Sequence, residues 1–306
     1  MKTLKLFSTL IAAAMLCAGC NNEDIRPESA GNTAPGVYLR LAGAAKATAS
    51  RATTAATDDE KTVDNVLAVL FDTHEGFYKT VEATPVPGSD QYSFIVEKDA
   101  TYDIYIVANA DTELSESLKN IPQATSADDP TKGLEAIVAG QAPDEPGKFL
   151  MVSKYPEKVT TKITESHSIG EVHMERLAAR FDILNKAEGI TINKVDFKNR
   201  AIKSSIKTRN EMTDDEDWFE PTEYKDIDLD GDKINGKLYS EKIYTYENYS
   251  LSGDDTLPSL VITYTEDNQE KTHEVKLTDP AATAGTALAV KRNHLYRIII
   301  TKATKL

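Results

Sequence analysis

The chain has 306 residues, with 35 Lys plus Arg against 49 Asp plus Glu and a formal net charge of −14. Its two cysteines, Cys17 and Cys20, both lie in the first twenty residues, which leaves the body no disulfide framework, cysteine zinc site or thiol nucleophile. The acidic balance argues against a phosphate-neutralising face, so no nucleic-acid partner is expected, and the length suits two domains of ordinary size.

Residues 1–19 read as a signal. Lys2 and Lys5 give a basic start, and Leu6 to Ala18 is a nearly unbroken apolar run. That run suits a secretory h-region and is too short for a spanning helix. It ends Leu16-Cys17-Ala18-Gly19-Cys20, which looks like a bacterial lipobox with Cys17 where Leu is usual. A lipoprotein signal peptidase would cut before Cys20, which is then acylated and attaches the chain to the outer membrane. The alternative is an ordinary cleaved signal with an incidental cysteine. Asn21-Asn22-Glu23-Asp24 resembles the acidic stretch after the cysteine in surface-exported lipoproteins of Bacteroidales. Residues 1–19 carry +2 and 20–51 carry +1, which leaves −17 on 52–306. Such charge favours solubility outside the cell and names no ligand.

Residues 21–35 form a polar tether. Gly36 to Ala42 alternates as a strand, with Val37, Leu39 and Leu41 on one face. Ala44 to Asp59 is small, polar and without apolar period, so it reads as an exposed loop with Arg51 in its middle. Strands are expected at 63–71, 92–96 and 102–107, from β-branched and aromatic residues. Helices are expected at 112–121, where Leu114 and Leu118 stand four apart, and at 130–139. Residues 122–131 and 140–147 read as loops. Gly170 to Leu184 fits both a helical face (Met174, Leu177, Phe181) and strand faces; Gly170 and the neighbouring strands favour strand. A domain boundary is expected near here. Further strands are expected at 190–197, 242–249, 257–265, 272–277 and 295–302, with a hairpin turn at 266–268. Residues 210–237 are acidic and turn-rich. The result is an all-β fold with minor helices.

Catalytic patterns are missing: there is no G-x-S-x-G, no H-E-x-x-H and no P-loop. No catalytic residue, no cofactor and no enzymatic activity are expected. His167, His173 and Glu175 would cluster around a metal only if His173 and Glu175 share a strand face. Asp226, Asp228, Asp230 and Asp232, with Gly231 sixth, resemble the start of a calcium loop, but Lys237 stands where a bidentate Glu is needed. The other reading is a solvated acidic strand edge turning at Asp230-Gly231. No metal site is expected.

Six segments in order resemble the fimbrillin superfamily, the type V pilus subunits of Bacteroidales. They are the lipobox ending at Cys20, VDNVLAVLFDTHEG (63–76), YDIYIVANAD (102–111), VHMERLAARFDI (172–183), IYTYENYS (243–250) and VKRNHLYRIIITKA (290–303). The resemblance implies two tandem transthyretin-like β-sandwich domains, at 52–170 and 171–306, after a signal (1–19) and a tether with a removable first strand (20–51). It implies that an arginine-specific protease cuts between Arg51 and Ala52 and removes the strand bearing Val37, Leu39 and Leu41. A strand from another pilin subunit would then fill the groove, giving a fimbrium with an unidentified host or bacterial surface ligand. The chain stops at Leu306, without the further donor strand and nearby Trp of stalk pilins, and this leans toward a tip or accessory subunit. A pilus anchor, or a lipid-anchored binding module for glycan or protein that never polymerises, remains the alternative.

Overall fold

The computed structural model describes residues 34–42, 59–140, 149–207, 226–227, 238–247, 258–277 and 288–301, with backbone alone at 226–227 and 238–242. Cys17, Cys20, Arg51 and Ala52 lie outside these residues, as do Asp228, Asp230 and Asp232.

The first part of the chain supplies β1 (Gly36–Ala42), β2 (Val66–Asp72), β3 (Gly76–Glu82), β4 (Thr84–Pro85), β5 (Gln91–Phe94) and β6 (Thr101–Ala108). Helix α1 (Thr112–Lys119) follows, then β7 (Val138–Ala139), β8 (Met151–Ser153), β9 (Glu157–Thr160) and β10 (Ser166–Arg176). The strand order is β3-β2-β6-β8-β10-β1-β5-β4, with β9 on β6. Strand β10 joins the two halves of this path. Its first part, Ser166 to His173, pairs with β1, and Met174 to Arg176 pair with β8. Val37, Leu39 and Phe94 from one half meet Ala68, Leu70, Ile104 and Ile106 from the other in a single core.

Strand β2 is buried at all seven positions, which explains the unbroken apolar run from Val66 to Phe71 that precedes Asp72. Val66, Ala68 and Leu70 face the sandwich interior. Leu67, Val69 and Phe71 face the opposite way, onto Leu114 and Leu118 of α1. The helix begins where Asp111 Oδ1 accepts from the Leu114 amide at 2.7 Å, an N-cap that satisfies an otherwise orphaned donor.

The expected helix over 130–139 does not form. These residues make consecutive turns ending in β7. Asp129 Oδ1 accepts from the Thr131 amide and hydroxyl, both at 2.8 Å, and from the Lys132 amide at 3.1 Å. Side-chain bonding of this kind competes with helix. Gly133 lies so close to the loop that a Cβ would sit 2.4 Å from the Ser126 carbonyl oxygen. Leu134 is buried by this wrapping, not by a helical face.

The remainder supplies β11 (Ala178–Asn185), β12 (Ile190–Lys198), β13 (Ser204–Ser205), β14 (Asp226–Ile227), β15 (Leu238–Tyr246), β16 (Ser259–Glu266), β17 (Gln269–Lys276) and β18 (Leu295–Ile300). Sheet β15-β11-β18 faces sheet β14-β12-β16-β17 across a second core of Phe181, Ile183, Ile192, Phe197, Ile243 and Ile262. The Phe181 ring lies 5.5 Å from Phe197 and 4.9 Å from Tyr296. The hairpin between β16 and β17 turns at Asp267 and Asn268, both with positive φ, as a two-residue I′ turn requires. Strand β10 runs through position 170 without a break, and the chain changes sheet at Leu177. The fold is all-β with a short helix, built as two β-sandwiches in tandem.

Candidate functional site

Strand β1 lies inside its sheet rather than at an edge. On one side it runs parallel to β10, from the pair Gly36–Ser166 to the pair Ala42–His173. On the other it runs antiparallel to β5, from Val37–Phe94 to Arg40–Gln91. Taking it away would expose two ladders of backbone donors and acceptors. It would also empty two core positions, because Val37 and Leu39 are each 1% exposed. Leu41, expected on the same face, is only half-buried and packs against the margin of that core. Burial of one aliphatic side chain contributes about 1.5–3 kcal/mol.

The register on the β10 side shifts between Tyr38 and Leu39. Tyr38 stands opposite Ser168 and Leu39 opposite Gly170, so Ile169 is the extra residue of a bulge. Gly170 carries φ +75°, the left-handed geometry that such a bulge takes and that a Cβ disfavours. At the head of the strand the Gly36 amide donates to the Glu165 carbonyl at 3.3 Å. On the outer face Arg40 Nε lies 2.9 Å from Asp90 Oδ1, and Glu171 stands opposite Arg40 on β10. Two exposed apolar side chains, Ile95 and Ile163, flank a small cleft at the same end as Gly36.

A second cluster lies just upstream of β2. Asp59–Lys61 forms a short 3₁₀ turn, and its Glu60 is buried. Arg180 Nη1 on β11 donates to Glu60 Oε1 at 2.9 Å and to Oε2 at 3.1 Å. The Tyr244 hydroxyl on β15 donates to Oε1 at 3.0 Å, and Arg176 Nε at the end of β10 donates to the Glu60 carbonyl at 2.7 Å. Burial weakens the Arg176 guanidinium, lowering its pKa. At Arg180 burial works in the same direction, but the carboxylates of Glu60 and Asp182 outweigh it and hold the pKa above its ordinary value. Around the cluster the Phe149 and Tyr244 rings meet at a tilt of 54° with centroids 4.7 Å apart, and Leu177, Ala178 and Tyr246 join the apolar cluster that also holds Leu67 and Leu114. Residue 60 thus fastens the chain before β2 to both sandwiches. Buried Arg292 is tied in turn to Glu247 and to the Ser205 and Ile206 carbonyls.

The remaining candidates do not converge. His173 and Glu175 share a face of β10 by alternation, but Glu175 Oε1 lies 3.4 Å from Lys154 Nζ, and His167 Nε2 accepts from the Lys162 amide. Among the described residues no group of three His, Cys, Asp or Glu side chains is placed to hold a metal. Asp226 is described by its backbone alone, in register with Asp196.

Residues 37–171 match the family model described as major fimbrial subunit protein (FimA). No curated protein sequence matches the chain. Among solved structures, the tip fimbrial protein Mfa3 from Porphyromonas gingivalis, truncated at its C-terminus, is similar with a TM-score of 0.56 and 16% identity, over 86% of this chain and 94% of that one. A fimbrial assembly protein from Parabacteroides distasonis gives 0.52 and 15%, over 89% and 92%. A candidate cell adhesion protein from the same species gives 0.53 and 15%, over 88% and 92%.

Proposed function

We propose that this chain, a fimbrillin-superfamily protein in its residues 37–171 and in its fold, is a structural and adhesive subunit of a surface fimbrium. It is exported as a lipoprotein acylated at Cys20, held at the outer membrane by that lipid, and matured by cleavage between Arg51 and Ala52. Maturation releases residues 20–51 with β1, and a strand of a neighbouring pilin takes the vacated place. The two sandwiches, divided near Leu177, would act together as one building block. The role is non-enzymatic.

The observation that carries this reading is the placement of β1. A strand at a sheet edge would leave no slot when removed. This one is paired on both sides and fills the core with two side chains, so its loss creates a site that a replacement strand satisfies with main-chain bonds and alternating apolar plugs. The arginines support the cleavage point. Arg40 lies in a doubly paired strand, and Arg176, Arg180, Arg200 and Arg292 are buried. Arg297 sits in β18. Arg26 precedes Pro27, which trypsin-like proteases cut poorly. Arg51 and Arg209 remain; the resemblance assigns the cut to Arg51, which stands between Ala42 and Asp59 in a segment of small polar residues, the kind of sequence that proteases cut.

The test is Arg51→Ala. The variant should keep its acylated Cys20 terminus and stay out of fibres. A variant that matures and assembles normally would remove the mechanism, and an uncut, non-polymerising wild type would mark a lipid-anchored binding module instead.

A further inference from the structure

On the reading that β1 is exchanged, we infer that the slot is selective and takes a strand with glycine first, aliphatic residues second and fourth, and a basic residue fifth, supplied by a different polypeptide. The present occupant sets these requirements one position at a time.

At Gly36 the margin is steric. A Cβ there would lie 3.0 Å from the Phe94 carbonyl oxygen, tighter than ordinary carbon–oxygen contact. That oxygen belongs to β5 backbone and cannot swing aside as a side chain would. A branched residue would push β5 outward or hold the strand away from it. At Val37 and Leu39 the requirement is apolar, since both side chains are buried in the core between the two halves of the sandwich. Leu39 is among the largest fully buried side chains of the protein, so the fourth position takes the larger plug. The bulge at Ile169–Gly170 fixes which residue reaches which position, because a one-residue slip would send the plugs to the outer face.

The fifth position is electrostatic. Arg40 stands opposite Glu171 on β10 and pairs with Asp90 beside β5. With β1 gone, these carboxylates flank the slot at that position. A basic residue is attracted there and an acidic one meets two like charges. The pair is solvent-exposed, so it discriminates modestly and through salt-sensitive forces.

No other glycine in the sequence is followed by aliphatic second and fourth residues and a basic fifth. The nearest match, Gly189-Ile190-Thr191-Ile192-Asn193, lacks the base and already forms β12. A second copy that has itself been cut between Arg51 and Ala52 has lost Gly36–Arg40 and keeps no other segment of this pattern, so the occupant is a strand of a different chain.

The experiment uses the full chain cleaved after Arg51, a fluorescent peptide of residues 35–42 in excess, and unlabelled competitors. Leu39→Asp should weaken competition by about a hundredfold or more, because a carboxylate would enter an apolar core. Gly36→Val should weaken it about tenfold, as overpacking against fixed backbone does. Arg40→Glu should weaken it about three- to tenfold at low salt, and less at high salt. If the parent peptide binds but Gly36→Val and Arg40→Glu compete equally well, the selectivity is wrong while the acceptor slot stands. If no peptide enters, the slot itself is refuted and the selectivity with it. Polymerisation of the cleaved protein alone would overturn the assignment to a different chain.

Discussion

Arg180 Nη1 on β11 donates to both carboxylate oxygens of Glu60, at 2.9 and 3.1 Å, with both side chains about 6% exposed. The pair ties the segment just before β2 to the second sandwich. Removing one member leaves a buried charge alone, so Glu60→Ala should destabilise by about 3–5 kcal/mol. Tyr244→Phe, which deletes a single hydrogen bond to the same oxygen, should cost about 1–2 kcal/mol. Urea unfolding of the variants measures both. Because one apolar cluster spans the junction, wild type should unfold in one transition.

The β1 core positions give a prediction that depends on the state of the chain. In the uncut protein Leu39→Ala should cost about 2–5 kcal/mol, the usual range for a buried leucine. Once residues 20–51 are cleaved and removed, the same substitution should have no effect on stability. Unfolding before and after arginine-specific digestion separates the two cases.

Asp72 predicts acid sensitivity. Its Oδ1 accepts from the His74 amide at 2.9 Å, its Oδ2 from Lys98 Nζ at 3.0 Å, and Oδ1 again from the Glu75 amide. These bonds, led by that from His74, outweigh burial and hold the carboxyl below its ordinary 3.8. The unfolded chain therefore takes up the proton first. The stabilisation is complete above about pH 4 to 5 and fades as pH falls through the lower folded value. Asp72→Asn should flatten the decline of unfolding temperature between about pH 5 and 2.

Gly76 is fixed by two constraints at once. Its φ is +81°, and a Cβ would lie 2.7 Å from the Ala124 carbonyl carbon and the Thr125 oxygen. The Phe77 amide donates to that oxygen at 2.6 Å, so the loop cannot retreat without losing the bond. Gly76→Ala should cost about 2 kcal/mol or more in thermal unfolding, beyond the roughly 1 kcal/mol of a left-handed alanine alone.

Alternation made β1 legible in the sequence, and the six-residue apolar run marked β2. Strand β3 escaped because its alternation is broken: the register shifts opposite Leu70 and Phe71, so Phe77 and Thr80, three apart, are the buried pair. The start of β10 escaped because Ser166, His167 and Ser168 offer no apolar signal, although their backbone forms one wall of the slot. In residues 130–139 apolar spacing was real but served turns wrapped on Asp129 and Gly133. The Glu60 cluster had half a signal. Arg176 and Arg180 inside an apolar stretch imply buried partners, but the partner lies 116 to 120 residues earlier, beyond any local period.

The central claim is that β1 leaves with residues 20–51 when the protein matures. The most direct measurement is the N-terminal sequence of the protein taken from fibres at the cell surface. A chain beginning at Ala52 agrees with exchange of the first strand. A chain beginning at acylated Cys20, with Val37 and Leu39 still in the core, contradicts it.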